Sequence, residues 1–247
     1  MRSSVDRRSL DPQSRPMKRA DKTLIALLAE MPGTRTLPEP VRERIACEAY
    51  DSIHQRNEFV VRAGDPVHSW VGVADGLLKI TNAFRSGKVV MFTGVPTGGW
   101  FGEGSVIKTG VRRYDVIAMR PTRVIHIPRT TFRWLLDTSF EFNHFIIEQL
   151  NERLSQYLGV VEADRLTDPV ARLARAISGM FNPVLYPNMG EKLPISQEEL
   201  GELAGLPRQR ANIAIKQLSA MGCVHAEYGS LVVTNLAALR NYQEREI

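Results

Sequence analysis

Residues 195–235, ISQEELGELAGLPRQRANIAIKQLSAMGCVHAEYGSLVVTN, constrain the fold more than any other stretch, because several local signals follow one another in order. Ser196 followed three residues later by Glu199 is the pattern of a capping box, which predicts the start of a helix. A turn at Gly205 separates this helix from a second helix, which ends at Gly222. Two short strand-like runs with a glycine turn between them come next. The stretch therefore predicts a helix, a turn, a helix and a β-hairpin, which is the order of a winged helix-turn-helix.

The second helix of this motif carries polar side chains of the kind that read DNA bases. Arginine can donate two hydrogen bonds to guanine, and glutamine or asparagine can pair in the same way with adenine. Because a recognition helix presents its N-terminal half to the major groove, we expect double-stranded DNA as a partner. A solvated helix surface is the alternative interpretation of the same residues. The expected DNA-binding residues are Arg208, Gln209, Arg210, Asn212 and Lys216, with Ser196 at the start of the preceding helix.

Residues 53–130 show a different pattern, in which short runs rich in valine, isoleucine and phenylalanine alternate with glycine turns. Asp75-Gly76 and Ser86-Gly87 are typical hairpin signals. Short strands at such even spacing predict an antiparallel sandwich or barrel. Residues 21–50 have a helical distribution of apolar residues, so we predict a chain of the α+β class.

A long helix is predicted over residues 139–164, and its apolar residues recur every three or four positions from Phe140 to Val161. This heptad spacing is typical of a helix that pairs with a copy of itself, so we expect a homodimer. The alternative is that the whole helix lies in the core of one chain. The expected dimer interface comprises Ile147, Leu150, Leu154, Tyr157 and Val161. The chain's own barrel is expected to cover a second apolar stripe, which comprises Phe142, Phe145, Ile146 and Leu158.

The rest of the composition argues against several other classes of protein. Two cysteines without a CxxC pair are too few for an iron–sulfur cluster, and five histidines without an HxxxH pair do not favour a metal site. No phosphate-binding GxxxxGK[ST] motif occurs and no Ser–His–acid group can be assigned, so we expect no catalytic residues and no enzyme. No apolar run approaches the roughly 18–20 residues that span a bilayer, and the N-terminus lacks the apolar segment of a secretory signal. We therefore expect a cytoplasmic protein without a membrane partner.

From about residue 50 to residue 240, the chain resembles the CRP/FNR family of bacterial transcription regulators. The stretch ISQEELGELAGLPRQRAN is similar to the helix-turn-helix signature of that family, with departures at Pro207 and at Ile213, where many members have a DNA-contacting arginine or glutamine. The resemblance implies an N-terminal antiparallel β-roll of the cyclic-nucleotide-binding type, a long dimerisation helix and a C-terminal winged helix-turn-helix. The expected division is a disordered basic tail (1–20), a β-roll sensor domain with N-terminal helices (21–136), the dimerisation helix (137–166) and the DNA-binding domain (167–247).

The resemblance also implies an effector pocket around FGEGSVIKTGVRRYDV, residues 101–116. Glu103 matches the acid that holds a ribose hydroxyl in nucleotide-binding members, and Arg113 matches the arginine that pairs with the cyclic phosphate. Tyr114 replaces a small hydroxyl residue, and Asp115 introduces a carboxylate that would repel a phosphate. Arg113 could instead form a structural ion pair with Glu103 or Asp115. The expected pocket comprises Gly102, Glu103, Gly104, Ser105, Arg113, Tyr114 and Tyr157.

These observations predict a homodimeric regulator that binds a pseudo-palindromic DNA operator and carries a sensor domain for an unidentified effector. One alternative is an effector-independent DNA-binding module whose β-roll contacts other proteins, for example RNA polymerase. Regulation by a cyclic nucleotide is a further alternative. Regulation by haem, through one of the histidines, is another.

Overall fold

The computed structural model describes residues 22–108, 110–164 and 168–242, so the predicted basic tail of residues 1–20 lies outside the described part. Two helices come first, α1 (Lys22–Glu30) and α2 (Glu39–Glu48). The strands that follow are β1 (Tyr50–His54), β2 (Phe59–Val61), β3 (Ser69–Asp75), β4 (Leu77–Ala83), β5 (Val89–Pro96) and β6 (Trp100–Phe101). A short helix, α3 (Glu103–Ile107), precedes β7 (Asp115–Ala118) and β8 (Thr122–Pro128). The prediction of helices followed by short antiparallel strands is confirmed.

The strands form two four-stranded antiparallel sheets, with the orders β1-β8-β3-β6 and β2-β7-β4-β5. Because successive side chains of a strand point to opposite faces, β3, β6 and β8 of the first sheet contribute side chains to two hydrophobic cores. On β3, Val71 and Val73 pack against the second sheet, whereas Trp70 packs against the helices. The ring of Trp70 stacks on that of Trp100 at a centroid distance of 3.8 Å. Gly72 lies beneath this pair, where a Cβ would come within 2.6 Å of the Trp100 ring.

Two helices follow the last strand of the β-roll, α4 (Arg129–Thr138) and the long helix α5 (Phe140–Asp164). One face of α5 packs on the β-roll and buries Phe142, Ile146, Gln149 and Arg153. The prediction that Leu158 belongs to this inner face is wrong, since Leu158 is 63% exposed. No helix in the described ranges is long and apolar enough to cross a membrane.

The C-terminal part contains α6 (Pro169–Gly179), β9 (Lys192–Leu193), α7 (Gln197–Ala204), α8 (Arg208–Ala220), β10 (Val224–Glu227), β11 (Ser230–Val233) and α9 (Leu236–Arg240). Asp168 caps α6, since its side chain accepts a hydrogen bond from the Val170 N–H at 2.8 Å. The three short strands form a sheet in the order β10-β11-β9, and the helices pack around one core. Leu77 and Met119 of the β-roll belong to the same core, so the two parts of the chain pack directly against each other.

Candidate nucleic-acid interface and effector pocket

A capping box and a left-handed glycine fix the geometry of α7, the turn and α8. The Ser196 Oγ accepts a hydrogen bond from the Glu199 N–H at 3.2 Å, and a Glu199 carboxylate oxygen accepts one from the Ser196 N–H at 2.8 Å. At the other end of α7, Gly205 adopts a φ of 62°, a conformation that glycine takes without strain. The predicted winged helix-turn-helix is therefore present, with its second helix beginning at Arg208.

The outer face of α8 is mostly polar, and its cations form no ion pairs among the residues that the structure describes. Ala211, Ala214 and Leu218 are buried on its inner side, so the residues at the opposite positions of the helical turn point to solvent. The exposed residues are Arg208, Gln209, Arg210, Ile213, Lys216, Gln217 and Ala220. Among the described residues, no acidic side chain pairs with Arg208, Arg210 or Lys216. This helix therefore presents three unneutralised cations to any ligand that approaches it.

Two of the expected DNA-binding residues lie in less open positions. Asn212 is half-buried, and its side-chain oxygen is buried without a hydrogen-bond partner in the described structure. Ser196 serves as the cap of α7 and lines a cleft between that helix and the β-roll, together with Arg56 and Lys79. The predicted β-hairpin is present, and Tyr228, which sequence analysis did not include among the DNA-binding residues, is fully exposed at the tip of the β10–β11 wing. The position of Tyr228 beside Gly229, between two strand-like runs, could have identified it from the sequence.

Ion pairs hold α7 against the β-roll. Glu199 lies 3.4 Å from Arg56 and 3.6 Å from Arg120, and Glu202 lies 3.0 Å from Lys79. The same Glu199 closes the capping box, so one carboxylate supports both the start of α7 and its contact with the β-roll. This arrangement leaves the outer face of α8 exposed to solvent.

The expected dimer residues form a continuous exposed stripe along α5. In a single protomer, the exposure of Ile147, Leu150, Leu154, Tyr157 and Val161 ranges from 38% to 64%. Leu158 extends this stripe. Asn143, three residues after Phe140 on α5, is half-buried and donates hydrogen bonds to the carbonyls of Leu136 and Ser139 at the end of α4. An apolar stripe of this kind is the surface that a parallel helix pair buries.

The expected effector pocket contains a buried ion pair that sequence analysis did not identify. The Nε of Arg153 on α5 lies 2.5 Å from the Glu103 Oε1, and Arg153 is only 9% exposed. The contact is electrostatic rather than a well-aligned hydrogen bond, because Nε has no hydrogen-bond partner of good geometry among the described residues. The Arg153 Nη2 also donates to the Trp100 carbonyl. Arg153 lies on the same buried face of α5 as Phe142. A charged residue on the face that packs on the β-roll could have identified it from the sequence.

The electrostatics of this pair favour the charged form of Arg153. Burial opposes the charge of the guanidinium, but Glu103 and the surrounding tyrosine hydroxyls outweigh that effect and raise the pKa of Arg153. Burial, followed by the proximity of Glu103, raises the pKa of Tyr114. Burial also raises the pKa of Tyr157, against the opposing effect of Arg153. The structure thus brings Glu103, Tyr114 and Tyr157 together around an arginine from the long helix.

The structure places Arg112, rather than Arg113, in the interior beside the pocket. Arg113 is exposed, whereas Arg112 is 2% exposed and its Nη2 donates to the Ser69 carbonyl at 2.5 Å. The Arg112 Nη1 is buried over Gly102 and has no hydrogen-bond partner among the described residues. The two carboxylates suggested as ion-pair partners of Arg113 have other partners. Glu103 pairs with Arg153, and the Asp115 carboxylate accepts a hydrogen bond from the Ala63 N–H at 2.8 Å.

The pocket differs from the cyclic-nucleotide site that the resemblance implies in the position of one arginine. Glu103 pairs with Arg153 through Oε1, and its Oε2 is buried without a hydrogen-bond partner among the described residues. Arg113, the arginine expected at the phosphate, faces solvent. The glycine-rich turn leads into a short helix. Gly102 is the N-cap of α3, and its carbonyl accepts hydrogen bonds from the N–H groups of Ser105 and Val106 at 3.0 Å each. Gly104 and Ser105 are half-buried within this short helix.

Comparison with known proteins gives two family matches and several similar structures. A cyclic nucleotide-binding domain model matches residues 53–139, and a Crp-like helix-turn-helix domain model matches residues 171–242. The chain is 22% identical over 202 residues to the cAMP-activated global transcriptional regulator CRP of Haemophilus influenzae, with 80% of this chain and 90% of the relative covered. The structure of FixK2 from Bradyrhizobium japonicum superposes with a TM-score of 0.66 at 15% identity, covering 81% of this chain and 99% of that one. A putative cAMP-binding regulatory protein from Silicibacter pomeroyi gives a TM-score of 0.61 at 18% identity, covering 91% and 100%.

Proposed function

The chain belongs to the CRP/FNR family of DNA-binding transcription regulators, and on that premise we propose that it binds a pseudo-palindromic operator as a homodimer. The observation that carries this proposal is the outer face of α8. Arg208, Arg210 and Lys216 are exposed there without acidic partners among the described residues. Arginines in the first turn of a recognition helix suit guanine recognition and phosphate contacts, and a lysine further along the helix suits phosphate contacts.

The exposed stripe on α5 supports the dimer. A two-fold pairing of α5 would bury apolar side chains that water surrounds in a single protomer, and it would present two copies of α8. Two recognition helices related by a two-fold axis read two inverted half-sites about one helical turn apart. A regulator of this kind acts in the cytoplasm, where the DNA is. Contact with RNA polymerase stays a prediction.

The experiment that tests this function is a titration of the full-length protein against duplexes selected from a random pool. The double variant Arg208→Ala/Lys216→Ala should bind the selected duplex at least about tenfold more weakly, because it removes two contacts from each half-site. Arg35→Ala/Arg133→Ala is the matched control, since it removes two exposed arginines of the sensor part. Equal weakening by both double variants would show that bulk positive charge, rather than α8, provides the binding.

The state of the effector pocket supports a second, narrower proposal. The name of the Haemophilus influenzae relative describes it as cAMP-activated. In this chain Arg113, the arginine expected at the cyclic phosphate, faces solvent, so we propose that the sensor domain does not take a cyclic nucleotide as its effector. The comparisons do not favour the alternative of a β-roll that serves only as a protein scaffold. Calorimetry with cyclic AMP, cyclic GMP and cyclic dinucleotides should give no saturable heat, and a saturable isotherm with any of them would contradict the proposal.

A further inference from the structure

An apolar side chain occupies the outer face of α8. Ile213 is 56% exposed and is surrounded on the outer face by polar and charged residues. The transfer of its side chain out of water would be favourable, yet none of the described residues covers it. Isoleucine at such a position suggests contact with an apolar group of a ligand.

The helical geometry places Ile213 among the residues that face the DNA in the proposed function. Gln209 precedes it by four residues and Lys216 follows it by three, so the three side chains lie on one face of α8. The residues on the opposite face, Ala211 and Leu218, are completely buried. Ile213 is therefore directed to the same surface as Gln209.

The charges around Ile213 favour DNA over an apolar protein surface as the ligand. Arg208, Arg210 and Lys216 carry unpaired positive charges on the same outer side of α8, as judged from the described residues. A protein partner would have to neutralise or desolvate these cations, whereas the phosphates of a duplex neutralise them directly. We therefore expect α8 to bind a surface that carries negative charges around a single apolar group.

A DNA major groove has one such apolar point. Among the four bases, only thymine displays a methyl group there, at C5. Isoleucine has no donor or acceptor, so it cannot discriminate bases by hydrogen bonds, but it can pack against that methyl group. We propose that Ile213 is a specificity-determining residue that contacts a thymine methyl in each half-site. This inference rests on the proposed function, because it requires α8 to lie in the major groove.

The test replaces thymine by uracil, a change that removes the methyl group and leaves the hydrogen-bonding pattern intact. The full-length protein first selects duplexes from a random pool, and each symmetric thymine pair of the selected duplex is then replaced by uracil. At one pair, the replacement should weaken binding by the wild-type protein about tenfold, or roughly threefold for each of the two methyl groups removed. With Ile213→Ala the same replacement should have no effect. Ile53→Ala, which truncates an exposed isoleucine of the β-roll, should retain the full uracil effect.

The outcomes separate this inference from the proposed function. If the wild-type protein selects no duplex, the proposed function fails and this inference fails with it. If it selects a duplex but no uracil effect depends on Ile213, or the half-site contains no thymine, the inference alone is overturned. Thermal unfolding of Ile213→Ala should match the wild type, since the side chain is exposed, and a lowered midpoint would assign Ile213 to folding instead.

Discussion

At the residue scale, Arg208 is the first residue of the recognition helix and is exposed without an acidic partner among the described residues. Arg208→Ala should cost about 1–3 kcal/mol of binding free energy and relax the preference at one base position, because alanine cannot donate the two hydrogen bonds that arginine gives to guanine. Binding titrations against the selected duplex and its single-base variants measure both effects. Arg133→Ala, on the exposed surface of α4, is the control. A uniform weakening against all sequences would make Arg208 a phosphate contact.

The Glu103–Arg153 pair makes a second prediction at this scale. Arg153→Met should lower the free energy of unfolding by about 3–5 kcal/mol, because Glu103 would remain buried without its ion-pair partner. The double variant Glu103→Leu/Arg153→Met should recover much of that stability in urea titrations, since both charges are removed. Breaking the exposed pair of Arg175 and Glu162 with Arg175→Ala should cost less than about 1 kcal/mol. Equal costs for the two arginine variants would show that the buried pair has no special role.

His126 gives the stability a defined pH dependence. It is buried between the hydroxyls of Ser52 and Ser69, at 2.9 and 3.1 Å from its ring nitrogens, and burial lowers its pKa to about 4. The unfolded chain binds this proton near pH 6.5, so it carries more protons than the folded chain between that pH and pH 4. Stability should therefore fall as the pH falls through this window, by about 3 kcal/mol in total.

His126→Gln should flatten this part of the stability profile in urea titrations between pH 7 and pH 4. Burial lowers the pKa of His54 as well, so a smaller slope of the same sign should remain. His225→Gln is the control, because His225 is exposed on β10. A profile for His126→Gln that keeps the slope of the wild type would exclude His126 as its source.

At the element scale, the exposed stripe of α5 accounts for the proposed dimer. Leu150→Glu/Leu154→Glu should give monomers, because two carboxylates would face their copies across the helix pair. Sedimentation velocity measures the change. Asn151→Glu/Ser155→Glu places the same charges one position further along, on exposed polar positions, and should leave the dimer intact. A dimer that survives the leucine changes would place the interface elsewhere.

The elements themselves could be predicted from sequence to different degrees. The helix-turn-helix and the long helix were predictable because capping, turn and heptad signals are local, and the observed bounds of α7, α8 and α5 agree with them. The pocket was less predictable, because a shift of one residue in the loop before β7 moves a side chain from the interior to solvent. That shift separates the exposed Arg113 from the buried Arg112. The pairing of Glu103 with Arg153 joins positions fifty residues apart, and no local pattern encodes such a contact.

At the scale of the whole molecule, the DNA-binding part packs on the sensor part of the same chain. The contact combines the ion pairs of Glu199 and Glu202 with a buried hydrogen bond from the Tyr186 hydroxyl to the Gly94 carbonyl at 3.1 Å. Met180 lies against Gly94, where a Cβ would come within 2.6 Å of its terminal carbon. The sequence could not reveal this contact, because it predicts each domain separately and carries no signal for how they dock. Through this contact, a conformational change in the β-roll could be transmitted to α7.

The central claim is that two copies of the chain read one symmetric operator through α8. The most direct test is to sequence the duplexes that the full-length protein selects from a random pool and to determine the stoichiometry of the complex by sedimentation. The account predicts two inverted half-sites whose centres lie about one helical turn apart, bound by two chains per duplex. Insertion of about half a helical turn between the half-sites should abolish tight binding, because the second α8 would then face the wrong side of the DNA. Selected sequences without two-fold symmetry, or one chain per duplex at full affinity, would contradict the account.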